Sequence, residues 1–287
     1  MRMIFDVMLA FALAAVLSGC GGWDSPSGTD DARQVDAARA ECAPIATSNT
    51  YLASAVRSVM GDRAALLVLA EPGMCPGHFD LRPSQLRRLR SCDLMLRFDF
   101  QQSLDSRLGG LDDSPRVVAV RVPGGMCEAE SYISACRQVA AALTDAGLIS
   151  QAEAEPRLAK IARRMDQLSD WARTRLKLAG LEGAPVLSSG HQAAFCRRLG
   201  VNVVGTFSAA DTATPGQIDA AVKQGDEAGV RFVIANLPEG RQLADALAGR
   251  LGAKVVVFGN FPALGEAQAF DELFRHNVNA LLEVAKP

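Results

Sequence analysis

The chain holds three histidines in 287 residues, and two of them stand beside other metal-binding side chains in turns rich in glycine and proline. Pro72-Gly73-Met74-Cys75-Pro76-Gly77-His78-Phe79-Asp80 places a thiol three residues before an imidazole. Pro123-Gly124-Gly125-Met126-Cys127-Glu128 repeats the Gly-Met-Cys element and adds a carboxylate, and Ser188-Ser189-Gly190-His191 supplies the second imidazole. Thiolate and imidazole suit zinc and other borderline or soft divalent ions, and four such groups from several loops make a tetrahedral site. The candidate metal ligands are therefore His78, His191, Cys75, Cys127 and Glu128. Each also has a structural alternative. His78 could cap the helix expected near Pro83, and His191 opens a helix directly after a strand. Glu128 lies at a helix N-terminus, where the dipole favours a carboxylate. Cys75 and Cys127 could equally form a disulfide across a cleft. Cys196 reads as core and His276 as surface, while Cys42 and Cys92 precede neighbouring strands and suit a structural disulfide.

The elements that must hold these turns alternate along the chain. Apolar runs over 43–48, 64–70, 93–98 and 117–122 read as buried strands, with helical spacing over 51–60, 83–91 and 132–143. From Glu153 to Ala179, Leu158, Ile161, Met165, Leu168, Ala172 and Leu178 recur at helical steps among charged residues, which predicts one long amphipathic helix. Alternation then resumes, with strands over 185–189, 201–207, 231–235 and 254–258 and helices over 192–199, 215–228, 241–251 and 270–284. This pattern implies parallel sheets covered by helices. The expected fold class is α/β: two doubly wound parallel-sheet lobes, 42–150 and 182–287, joined by a long backbone helix over 151–181. In such sheets ligands bind at the carboxyl ends of strands, which is where the candidate residues fall.

Ahead of the lobes, Arg2 and an apolar run from Val7 to Leu17 lead into Leu17-Ser18-Gly19-Cys20. The run is too short to span a bilayer permanently. It resembles a bacterial lipoprotein signal peptide over 1–20, which implies cleavage before Cys20, lipidation of that cysteine, and an extracytoplasmic protein held on a bacterial membrane. The Gly, Ser, Pro and Asp residues of 21–41 read as a flexible tether. Hydrophobic residues are 49% and charged residues 22%, enough for a substantial core, and a net charge of −2 argues against nucleic acid as a partner. Seven cysteines leave six once Cys20 is set aside, an even number that in an oxidising compartment suits disulfides. The chain has no Gly-x-Ser-x-Gly elbow, no phosphate-binding glycine loop and no His-Glu-x-x-His helix, so no enzyme motif stands out.

The Pro72-Gly73…His78-Phe79-Asp80…Pro83-Ser84 segment resembles the first ligand loop of the solute-binding lipoproteins of zinc and manganese ABC transporters. Ser189-Gly190-His191-Gln192-Ala193, the Gly259-Asn260-Phe261-Pro262 turn and the terminal helix are similar to other parts of that family. The resemblance implies a metal bound between two lobes on a rigid helical backbone and a periplasmic monomer. It also implies delivery of the ion to an ABC permease, with no catalysis. The ion would be a divalent transition metal, zinc first, with manganese or iron as alternatives. Where the family carries a second histidine this chain has Met126-Cys127-Glu128, and where it carries an acidic ligand this chain has Asn260. Cys75 and Cys127 are the expected compensation. A receptor for a chelated metal or organic cofactor, and a metal- or thiol-dependent extracytoplasmic enzyme, are the alternative readings.

Overall fold

The computed structural model describes residues 45–61, 64–70, 81–108, 115–265 and 268–286, which fall in one compact unit spanning Cys42–Pro287. Cys20, the segment read as a tether, Cys42, Cys75 and His78 lie outside the described residues.

Two four-stranded sheets are present, both fully parallel. The first contains β1 (Ile45–Thr47), β2 (Leu66–Val68), β3 (Leu94–Phe98) and β4 (Arg116–Val120) in the order β2-β1-β3-β4. The second contains β5 (Pro185–Ser189), β6 (Asn202–Phe207), β7 (Phe232–Asn236) and β8 (Lys254–Phe258) in the order β6-β5-β7-β8. Each sheet thus reverses its direction of growth beside its first strand, the place where a crevice opens at the strands' carboxyl ends. The central strands β3, β5 and β7 are buried almost throughout, which fits their mainly apolar starts, Leu94-Met95-Leu96, Pro185-Val186-Leu187 and Phe232-Val233-Ile234-Ala235.

Between the strands run α1 (Thr50–Met60), α2 (Pro83–Leu89), α3 (Ser103–Leu108) and α4 (Ala129–Asp145). Next come α5 (Gln151–Leu178), α6 (Gly190–Arg198), α7 (Pro215–Glu227), α8 (Gln242–Leu251) and α9 (Ala269–Ala285). The long helix α5 starts at a capping box, in which the Ser150 hydroxyl accepts the Glu153 N–H and Glu153 reaches back to the Ser150 N–H. It buries Ala154, Ile161, Met165, Leu168, Ala172 and Leu176 on one stripe. Leu158 is only half-buried, and Leu178, the last helical residue, is 81% exposed rather than continuing the stripe.

The two sheets share a core. α9 follows the second sheet but packs on α5 and reaches α1 and α4. Its Phe270 stacks on Tyr132 with ring centroids 3.8 Å apart and meets Tyr51 edge-on at 5.9 Å, while Phe274 meets Phe195 of α6 at 5.1 Å. Arg164 on α5 pairs with Asp271 on α9 at 3.0 Å. One apolar cluster therefore runs from Ile45 to Leu281 through both lobes. Interdigitated aromatic packing of this kind resists sliding of the elements past one another.

Candidate functional site

A cleft of about 610 Å³ opens where the carboxyl ends of the two sheets face each other. The first sheet contributes an apolar wall: Phe100, Val122, Pro123 and Met126 from the segments after β3 and β4. Phe100 is 58% exposed and stacks on Phe98 beneath it at 5.1 Å. The second sheet contributes the polar wall, with His191 at the start of α6, Glu239 after β7 and Asn260 after β8.

His191 is placed by the cap of α6. Ser189 ends β5 with its hydroxyl accepting the His191 backbone N–H at 3.3 Å, so the helix begins at once and carries the imidazole out over the strand end. The ring remains 69% exposed. The same hydroxyl donates to Glu239 Oε2 at 2.6 Å, and Glu239 Oε1 lies 3.2 Å from His191 Nε2. Glu239 comes from the short 3₁₀ turn Leu237–Glu239 and is only 16% exposed.

Below these groups lies a buried amide floor. Gln192, fully buried, donates through Nε2 to Asn236 Oδ1 at 3.0 Å and to Asn260 Oδ1 at 2.5 Å, while its own Oε1 has no partner among the described residues. Asn277 of α9 holds the Gly259 backbone from both sides, accepting its N–H at 2.9 Å and donating to its carbonyl at 3.0 Å. Asn260 is thus tied into the floor by its side-chain oxygen.

The expected ligands fall into three groups. His191 presents its ring to the cleft. His78 and Cys75 lie outside the described residues. Cys127 and Glu128 are turned to other partners. The Cys127 thiol is 1% exposed, donates to Gly259 O at 2.9 Å and accepts from Asn277 Nδ2 at 3.4 Å. Burial pushes its pKa up, the nearby Cys196 adds to this, and hydrogen bonds with Asn277 and Gln192 pull the other way. Cys127 forms no disulfide among the described residues. Glu128, also buried, accepts the Gly125 N–H at 2.5 Å through Oε1 and pairs with Arg198 at 3.3 Å through Oε2. A Cβ at Gly124 would sit 2.6 Å from that Oε1, so the turn needs glycine to let the carboxylate in. Among the described residues, no three His, Cys, Asp or Glu side chains gather as a metal cluster.

Glu239 is the site residue that the sequence did not reveal. It sits in Leu-Pro-Glu-Gly, with neither a histidine nor a cysteine near it in the chain. The one usable signal was its position just past the end of an apolar strand.

The model of the family described as "Zinc-uptake complex component A periplasmic" (ZnuA) matches residues 45–284. The chain belongs to that family. It is accordingly a metal-binding solute receptor of an ABC uptake transporter, as the sequence resemblance implied, and the family is periplasmic. The fold agrees. The chain is similar to the Mn-bound periplasmic metal-binding protein of Candidatus Liberibacter asiaticus, at 12% identity and TM-score 0.70. The Cd-bound form of that protein gives 13% and 0.71. The laminin-binding protein Lmb of Streptococcus agalactiae, described as bifunctional with adhesin and metal-transporting activity, gives 16% and 0.68. Each similarity covers 84% of this chain and 99% of the other. Among the curated proteins no match is found. Among the described residues no helix is long and apolar enough to cross a membrane.

Proposed function

We propose that this ZnuA-family receptor captures a zinc-class divalent ion in the cleft between its two sheets and presents it to the permease as a lipid-anchored monomer. The observation that carries the reading is His191. Its ring stands open at the cleft wall, fixed by the Ser189 cap at the carboxyl end of a central strand, where a parallel sheet places its ligands. His78, which follows β2 in the chain, is the partner imidazole from the other lobe, with Cys75 the thiolate donor closest to it in the chain. Cys127 and Glu128 serve the scaffold: the first braces the floor, and the second shapes the turn that forms the opposite wall. The shared core keeps the frame rigid, so capture requires loop adjustment rather than lobe closure. Cys20 carries the lipid.

Competition of purified protein against a chromophoric chelator tests the site. Wild type should bind one equivalent of Zn²⁺, and His191→Ala should lose more than about 100-fold in affinity, beyond the 10–100-fold typical of residues that only support a ligand. Equal affinity in the two proteins would remove the cleft from consideration as the metal site.

A further inference from the structure

We infer that Glu239 is itself a ligand of the captured ion, forming with His191 a two-donor arm on the second lobe. The inference deepens the reading of the cleft as a metal site and rests on it. The carboxylate is largely withdrawn from water, and His191 Nε2 is its one ion-pair partner among the described residues. A divalent cation held between the two would give this carboxylate a full counter-charge. Ser189 occupies Oε2 and leaves Oε1 directed to the imidazole nitrogen. Two donors bound tetrahedrally at about 2.0–2.2 Å lie about 3.3–3.5 Å apart, the edge of the coordination tetrahedron. The observed 3.2 Å between Oε1 and Nε2 already matches that edge, so the pair can take an ion with almost no rearrangement.

The support around the pair fits the same role. The Ser189 hydroxyl donates to the carboxylate and accepts the His191 backbone N–H, so one group fixes both donors. Ligating carboxylates are regularly held by such an outer hydrogen bond. The neighbouring acceptor, Asn260 Oδ1, is taken by Gln192 Nε2. A nitrogen–oxygen arm suits zinc and also manganese, which favours oxygen donors.

Zn²⁺ competition titrations on Glu239→Gln, Ser189→Ala and His191→Ala decide the matter. Glutamine keeps the acceptor for Ser189 and loses only the charge. The expected result for Glu239→Gln is an affinity loss of more than about 100-fold, with Ser189→Ala losing about tenfold as an outer-shell change. Two results overturn the inference: Glu239→Gln within about threefold of wild type, or Ser189→Ala as damaging as Glu239→Gln, which would mean that the carboxylate merely braces α6. His191→Ala separates the levels. If it loses binding while Glu239→Gln does not, the cleft reading stands and only the role of Glu239 falls; if neither loses binding, both fall. A crystal structure of the zinc-loaded wild type gives the same test without a variant. Glu239 Oε1 within about 2.2 Å of the ion supports the inference, and a distance beyond about 3 Å overturns it.

Discussion

Replacing Cys127 with alanine separates a ligand from a brace. The thiol is fully enclosed, and its acceptor partners are each satisfied without it: Gly259 O keeps Asn277 Nδ2 at 3.0 Å, and Asn260 Oδ1 keeps Gln192 Nε2 at 2.5 Å. No buried acceptor is orphaned, and the one donor that loses a partner, an Asn277 Nδ2 N–H, gives up only a long 3.4 Å contact to sulfur, so the loss is mainly packing. Removing a group of about methylene size costs about 0.8 kcal/mol in transfer. The void left, at about 24 cal/mol per Å³ over some 30 Å³, costs about as much again. Stability should fall by about 1.5 kcal/mol in denaturant titration, within the usual range for a single core change. Zn²⁺ affinity at pH 7 should stay within about threefold, or about 0.65 kcal/mol.

The same variant has a pH signature. Because burial raises the folded pKa of this thiol, its contribution to stability is fully present below the unfolded thiol pKa of about 8.5. Above that value the unfolded chain releases a proton that the folded chain retains, and stability falls as pH rises. Cys136 and Cys196, both pushed up to about 12 by burial, act in the same direction. Between pH 9 and the onset of alkaline unfolding, Cys127→Ala should therefore lose stability less steeply than wild type, by about 1.4 kcal/mol per pH unit. A tenfold loss of Zn²⁺ affinity in a folded variant, or identical alkaline slopes, would refute the argument and return Cys127 to the ligand set.

Phe270→Ala removes the ring on which Tyr132 stacks and Tyr51 rests, at a fully buried position joining α9 to the first lobe. It should cost about 3–5 kcal/mol in denaturant unfolding; a loss below about 1.5 kcal/mol would show that the lobes do not depend on this contact. Cys20→Ser should shift the protein from the membrane to the soluble fraction or leave it unprocessed, as read by fractionation and by the mass of the mature N-terminus. A variant processed normally and still membrane-bound would exclude lipidation at Cys20.

Much of the frame was legible because its signals are local. The run of apolar residues in Lys254–Phe258, the Ser150/Glu153 cap before α5 and Thr214-Pro215 before α7 each announce an element through neighbours a few residues away. The elements missed among the described residues, α3 and the 3₁₀ turns Asp99–Gln101 and Leu237–Glu239, are six residues long or shorter, too brief for a helical period to emerge. That His191 reaches the cleft was legible from sequence because it follows a strand directly. The direction in which a side chain points after a turn is not local information. Cys127 and Glu128 have the residue types of ligands, yet the β4–α4 turn buries the thiol against Gly259, 132 residues away, and folds the carboxylate back onto Gly125.

The sequence by itself determined the periodicities, the caps and the chemical types available at the strand ends, and with them the two-lobed α/β frame and the kind of ion it suits. Tertiary structure alone decided which of those groups meet. Glu239 lies 50 residues from Ser189, and the two become neighbours only because β7 crosses over to pair with β5. That strand pairing is a long-range contact, set by burial of both sheet faces rather than by any residue near Glu239, so the pattern around Glu239 carries no trace of it.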